Sequence, residues 1–223
     1  MNRTLFPLLG LIFASTNVIA NVEMSAIWQS ELAVSKDKVQ KFEHSWTPEL
    51  NLSINDNMDM TLIGRLRFDT QNNLGFEPGN LDSSSSINGA IWQGKHFDFE
   101  LREWYVDTES AGVFWRLGKQ QVVWGQADGL KVLDVINPHS YRAFTLQDFD
   151  ESRIPLWMVN AEIPIGDDDS LQVLWVVDQS YHHFASAGSD YQTTSPSLVP
   201  QPIENATSAR FDTHKPVRLI KDS

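Results

Sequence analysis

The sequence predicts an all-β chain, an antiparallel up-and-down transmembrane β-barrel of about seven long strands with a polar loop or short helix inserted. Two observations point to strands in a membrane. Apolar and polar residues alternate with period two over segments of about ten to thirteen residues, long enough to cross hydrocarbon at a tilt. An export leader precedes them, and no later stretch is long and apolar enough to span a bilayer as a helix.

The leader occupies residues 1–20. Arg3 precedes a short apolar block interrupted by Pro7 and Gly10, and the segment closes on Val18, Ile19 and Ala20 before Asn21. That order of charge, apolar core and small residue reads as a cleavable signal peptide, with the cut expected after Ala20. An uncleaved anchor is the rival reading, but the apolar core falls short of the roughly 20 residues a spanning helix needs.

Residues 21–180 hold the strands. In 22–34, Val22, Met24, Ala26, Trp28, Leu32 and Val34 alternate with polar residues, with a break at Ser30 and with Ile27 and Ala33 off pattern. In 42–54, Phe42, Trp46, Leu50, Leu52 and Ile54 alternate with Glu43, Ser45, Thr47, Glu49, Asn51 and Ser53. In 58–69, Met58, Met60, Leu62, Leu66 and Phe68 oppose Asp59, Thr61, Arg65, Arg67 and Asp69; a helix would scatter those charges around its circumference, whereas a strand segregates them. In 96–107, Phe97, Phe99, Leu101 and Tyr105 are expected on one face and His96, Asp98, Glu100 and Arg102 on the other. Val113, Trp115 and Leu117 oppose Arg116, and 171–179 is a further, more uniformly apolar strand.

Trp28, Trp46, Trp104, Tyr105, Trp115, Trp124, Trp157 and Trp175 sit near strand ends or mid-face, as in the aromatic girdles of outer-membrane barrels. A β-sandwich core also uses tryptophan, so a soluble exported sandwich that binds polysaccharide stays open as the alternative. Residues 54–58 make a short hairpin turn, whereas 71–94, with Pro78-Gly79 and a serine run, reads as a long polar loop.

The chain has 223 residues and a formal charge of −12, which becomes −13 when the leader takes Arg3 and no acid with it. An acidic balance argues against nucleic acid as a partner, since neutralising phosphates needs a basic surface. The absence of cysteine removes disulfides, thiolate metal sites and cysteine nucleophiles together.

Three ordered segments, residues 101–107 (LREWYVD), 115–138 (WRLGKQQVVWGQADGLKVLDVINP) and 148–157 (DFDESRIPLW), resemble the bacterial outer-membrane family catalogued as domain of unknown function 1302. A fainter likeness in residues 116–120 is similar to alginate-export and porin-like barrels. The resemblance implies a channel or pore-like barrel of the Gram-negative outer membrane, longer than this chain, with no settled substrate. Within 125–155, Leu130 and Leu133 have helical spacing, and Asn137-Pro138 ends the pattern. That stretch reads either as a constriction folded into the barrel mouth or as a mobile surface loop.

On the polar face, Arg65, Arg67, Asp98, Glu100, Arg102 and Arg116 are the candidate lumen and selectivity residues. Fixed charges lining a pore select permeating ions and polar solutes. Cross-strand ion pairing that only holds register is the alternative. The expected partners are outer-membrane lipid and a small polar or anionic solute, with no cofactor and no metal.

Catalytic motifs are weak. Glu100 and Glu103 are expected on opposite faces of a strand, which would prevent them from acting as the paired carboxylates of a glycosidase. His182-His183 lacks a third ligand at metal spacing and reads as a solvated loop. Asp148, Asp150 and Glu151, and the run 167–169, match no defined calcium loop and read as acidic turns. No G-x-S-x-G elbow occurs.

Alternation stops after Tyr181, and residues 181–223 read as a polar, disordered tail without a closing strand. About seven strands are fewer than the eight or more, in even number, of a closed bacterial barrel. The expectation is therefore an N-terminal portion produced by truncation or a broken reading frame. Its open strand edges would leave it prone to self-association as an oligomer, or to aggregation.

Overall fold

Period-two patterning becomes strand where one face can be segregated from the other, and here it does so along most of the described chain. The structure, a computed structural model, describes residues 21–35, 38–71, 74, 84–124, 135–143, 149–166 and 168–184. The expected leader (1–20), the helical spacing of Leu130 and Leu133, the start of the 148–151 acidic turn and nearly all of the expected tail lie outside the described residues.

In chain order the elements are β1 (Asn21–Ser35), β2 (Lys38–Asn55), β3 (Met58–Asp69), β4 (Trp92–Gln93), β5 (Phe97–Ser110), β6 (Val113–Gln120), β7 (Ser140–Tyr141), the one-turn helix α1 (Phe149–Ser152), β8 (Leu156–Ile165), β9 (Asp169–Val176) and β10 (His183–Phe184). The chain is all-β, as the alternation requires. The strands β1, β2, β3, β5, β6, β8 and β9 succeed one another across one antiparallel sheet, with the short β4 beside β5 as its eighth strand. Among the described residues the sheet does not close on itself, an open arrangement consistent with an incomplete barrel. The other sheet is only the parallel pair of β7 and β10, so the described strands do not form the two facing sheets of a sandwich. Among the described residues no helix is long and apolar enough to cross a membrane.

Because strand directions alternate, the short turns at 56–57 and 111–112 and the connection from β8 to β9 share one end of the sheet, where the Glu109 amide donates to the Asn57 carbonyl at 3.3 Å. Asn55 Oδ1 accepts from the Asn57 amide at 3.0 Å and fixes the first of these turns. Ala111 and Gly112 both have positive φ, 55° and 73°, as the central residues of a type I′ turn do. The long segments 70–96 and 121–155 leave from the opposite end.

The two faces of the sheet are inverted relative to a water-soluble domain. One carries Met24 (80% exposed), Trp28 (67%), Leu32, Trp46, Leu117 and Trp175, all open to the surroundings. Apolar partners oppose one another across it, as in Trp28 with Trp46, Leu50 with Leu62, Leu62 with Trp104, and Val159 with Trp175. On the other face Lys41, Glu43, Arg67, Asp98 and Arg102 are buried, and charged side chains outnumber hydrophobic ones among the buried residues.

β5 departs from the expected alternation. Gly64 pairs with Leu101 and Ile63 with Glu103, which makes Arg102 the extra residue of a β-bulge. The bulge reverses parity, so Trp104 and Val106 join the apolar face beyond it, opposite Leu62 and Met60. Tyr105, expected beside Phe97, Phe99 and Leu101, stands instead on the polar face, with the Arg116 guanidinium 4.2 Å from its ring centroid. Glu100 and Glu103, expected on opposite faces, share the polar face for the same reason. β1 also differs: it runs unbroken through Ser30, whose hydroxyl accepts from Trp28 Nε1 at 3.0 Å and lies 2.8 Å from His44 Nδ1. Those partners satisfy a polar side chain on the apolar face.

Gly118 in β6 has φ +135°, and a Cβ there would collide with the Trp104 carbonyl and come within 2.9 Å of Tyr105 Cα. Only glycine fits that approach of two strands. Beyond β6, Val122 packs with Leu156 and Met158, joined by Ile136 and Leu174, in the small apolar cluster where segment 121–155 meets the sheet. Asn137, 2% exposed, accepts from the Val122 amide at 2.8 Å and donates to the carbonyls of Gln120 (3.4 Å) and Ile154 (3.0 Å). His182 and His183, expected as a solvated loop, are tied down here. The His139 amide donates to His182 Nδ1 at 2.9 Å, the two rings stack at 6.0 Å, and His183 pairs with Ser140.

Candidate functional site

Register along β3 and β5 decides which charges meet. Arg67 lies opposite Asp98 and Arg65 opposite Glu100, each pair on the polar face. Arg67 grips Asp98 bidentately, Nε to Oδ1 at 3.0 Å and a terminal nitrogen to Oδ2 at 2.5 Å, while Arg65 pairs with Glu100 at 2.5 Å. The planar fork of arginine suits such pairs, and the buried setting strengthens them.

The bulge aims Arg102 differently. One terminal nitrogen donates to the carbonyls of Asp150, Glu151 (3.1 Å) and Arg153 (3.1 Å), and the other lies 3.8 Å from Glu100. These carbonyls sit at the C-terminal end of α1, where backbone acceptors lack intrahelical donors and a cation is favoured. Arg102 thus pins segment 149–153 to the polar face. A second tie comes from the same segment's other limb, where Arg142 donates to Glu43 at 2.8 Å. Lys41 bridges Glu31 and Glu43 beside it, the latter at 3.8 Å.

Between the sheet and these ties lies a cavity of about 70 Å³. Its lining includes five of the six expected residues, Arg65, Arg67, Asp98, Glu100 and Arg102. Arg116 is not among them. It is held by Asp107 at 2.7 and 2.8 Å and packs on Tyr105, nearer the short-turn end of the sheet. The lining also holds Lys119, Arg142, Arg153 and Glu151, which the polar alternation did not single out. Lys119 follows Gly118 in β6 at the parity of Val113, Trp115 and Leu117, and it donates to the Leu101 carbonyl at 2.6 Å. Arg142 and Arg153 belong to the inserted segment, where no periodicity marks which side chains turn inward.

Cations lining the cavity are Arg65, Arg67, Arg102, Lys119, Arg142 and Arg153, against Asp98, Glu100 and Glu151. The surroundings are therefore cationic within an acidic chain. Among the described residues no group of three His, Asp or Glu side chains could hold a metal ion. The arrangement can attract and orient an anion.

The family model described as protein of unknown function (DUF1302) matches residues 28–212. No curated protein and no solved structure matches the chain.

Proposed function

Since the chain belongs to the family of unknown function DUF1302, we propose that it acts as a porin-like β-barrel protein of the outer membrane, giving passage to a small polar or anionic solute. The observation that carries this reading is the inverted polarity of the sheet, with Met24, Trp28 and Trp175 exposed on one face and Glu43, Arg67 and Asp98 buried on the other. Lipid suits the first face and a water-filled path suits the second. Short turns at one end of the sheet and long segments at the other match the asymmetry of such barrels. The inserted segment, pinned by Arg102 and by the Arg142–Glu43 pair, acts as the constriction, and the cationic cavity beneath it biases passage towards anions. Residues 1–20 direct export and are then removed.

Fractionation of the natural host's envelope tests the reading. Recovery of the chain with the outer membrane, extraction only by detergent and heat-modifiable gel migration are expected; recovery as a soluble periplasmic protein overturns it. In planar bilayers, neutralising Arg65 and Arg102 is expected to reduce anion preference. Unchanged selectivity would remove the cavity from the path.

A further inference from the structure

We propose that the cavity over β3 and β5 is a binding site for the carboxylate group of a small organic acid. The inference rests on the reading of the polar face as a solute path and narrows its solute class. Charge is the first support. Arg67 is matched by Asp98, Arg142 by Glu43 and Arg153 by Asp150. What remains in the lining is Arg65, Arg102 and Lys119 facing Glu100 and Glu151, one positive charge in excess. The next carboxylates, Glu103 acting on Arg102 and Asp178 acting on Lys119, stand outside the lining and take hydrogen bonds from neutral donors, Glu103 from Gln121 at 2.6 Å and Asp178 from Ser85 at 2.6 Å and Ser180 at 2.8 Å.

Unfilled donors are the second support. Arg65 Nε is buried with no acceptor among the described residues, although the rest of that side chain is paired with Glu100. The Lys119 ammonium, 5% exposed as a residue, has the Leu101 carbonyl as its acceptor and no ion pair among the described residues. A buried donor without an acceptor is costly, and a carboxylate oxygen is the acceptor that guanidinium and ammonium groups take most readily. The third support is size, since about 70 Å³ holds a few waters or one small carboxylate group. A monoanion meets less repulsion from Glu100 and Glu151 in the lining than a phosphate group carrying about −1.5 to −2.

The test uses the full chain folded in detergent micelles, checked for strand content by circular dichroism and titrated calorimetrically with sodium acetate at constant ionic strength. Saturable binding at one site is expected, with chloride silent and inorganic phosphate weaker than acetate. Lys119→Gln is expected to weaken binding by about tenfold or more, and Arg116→Gln, outside the cavity, to leave it unchanged. Equal responses to acetate and chloride, tighter binding of phosphate, or undiminished binding by Lys119→Gln each overturns the proposal. Should Lys119→Gln lose strand content, Arg65→Lys removes the Nε donor while keeping the charge, and the same loss of acetate binding is expected. Absent acetate binding by a chain that fractionates with the outer membrane removes this site alone, whereas soluble recovery in the periplasm removes the transport reading as well.

Discussion

Arg142 donates to Glu43 at 2.8 Å across ninety-nine residues of chain, joining the inserted segment to the polar face of β2. Both side chains are nearly excluded from solvent, at 9% and 7% exposure. Removing one partner takes a charge-assisted hydrogen bond from the other in a nearly dry setting. Arg142→Gln or Glu43→Gln alone is expected to destabilise the folded chain by about 3 kcal/mol. The double variant is expected to lose less than the sum of the two, with a coupling of about 1 kcal/mol or more. Urea unfolding in micelles reads this, and strict additivity would show that the contact contributes nothing. Glu43→Gln should be the more damaging single change, because Lys41 also relies on that carboxylate at 3.8 Å.

Neighbouring residues on β3 offer a test of which face meets lipid. Leu62 lies between Leu50 and Trp104 on the apolar face, and Thr61 turns to the polar face, where it donates to Asn51 at 2.9 Å. Leu62→Arg is expected to reduce the stability of the bilayer-inserted chain by about 2–4 kcal/mol, and Thr61→Arg by well under that. Equal effects in lipid vesicles would contradict the assignment of the faces.

Gly118→Ala should be among the most disruptive single-methyl additions in the sheet. The residue's φ of +135° and the nearby backbone of Trp104 and Tyr105 leave no room for a Cβ. A loss of about 3 kcal/mol or more is expected, seen as missing heat-modifiable migration after refolding. Gly112→Ala makes the comparison, since φ is also positive there but nothing lies within 4 Å of the added carbon; its penalty should be smaller.

At the turn between β5 and β6 the reverse applies. Ala111 holds φ 55° without a side chain suited to it. Ala111→Asn places the residue that type I′ turns favour before Gly112, and a gain of about 0.5–1 kcal/mol in urea unfolding is expected. A loss would mean that the turn is not of this type.

Most of the long strands, though not β8, were legible in the sequence because one face of each had to be apolar, so that Met58, Met60 and Leu62, or Leu50 and Leu52, announced their own register. The turn at Asp56 and Asn57 was legible from its residue types. The β-bulge was not, since Arg102 and Glu103 are both charged and the shift of parity they hide surfaces only at Tyr105. Nor was the turn at Ala111, where alanine stands in a conformation usually signalled by asparagine or glycine. For the site, the shared polar face of Arg65, Arg67, Asp98 and Glu100 followed from strands that alternate charge, while which of them meet is set by the register of β3 and β5. Lys119, Arg142 and Arg153 did not follow. Lys119 shares the parity of Trp115 and Leu117 in β6, which marks it for the apolar face, and the approach of Arg142 and Arg153 depends on how an inserted segment without periodicity folds back, which is decided by contacts such as Arg102 with the carbonyls at the end of α1.

Asn137 has a consequence for the order in which the sheet assembles. β6 and β8 are neighbours, yet residues 121–155 separate them, and bringing distant strands together exacts a loop-closure entropy before any pairing is gained. One side chain that binds Gln120, Val122 and Ile154 at once divides that excursion into two shorter ones and holds the departing and returning chain side by side. Zipping of β8 onto β6 can then start from a fixed point at Gln120 and Leu156 and run towards Glu162. An amide buried at the neck of the loop thus acts as a clasp that shortens the closure the sheet must make.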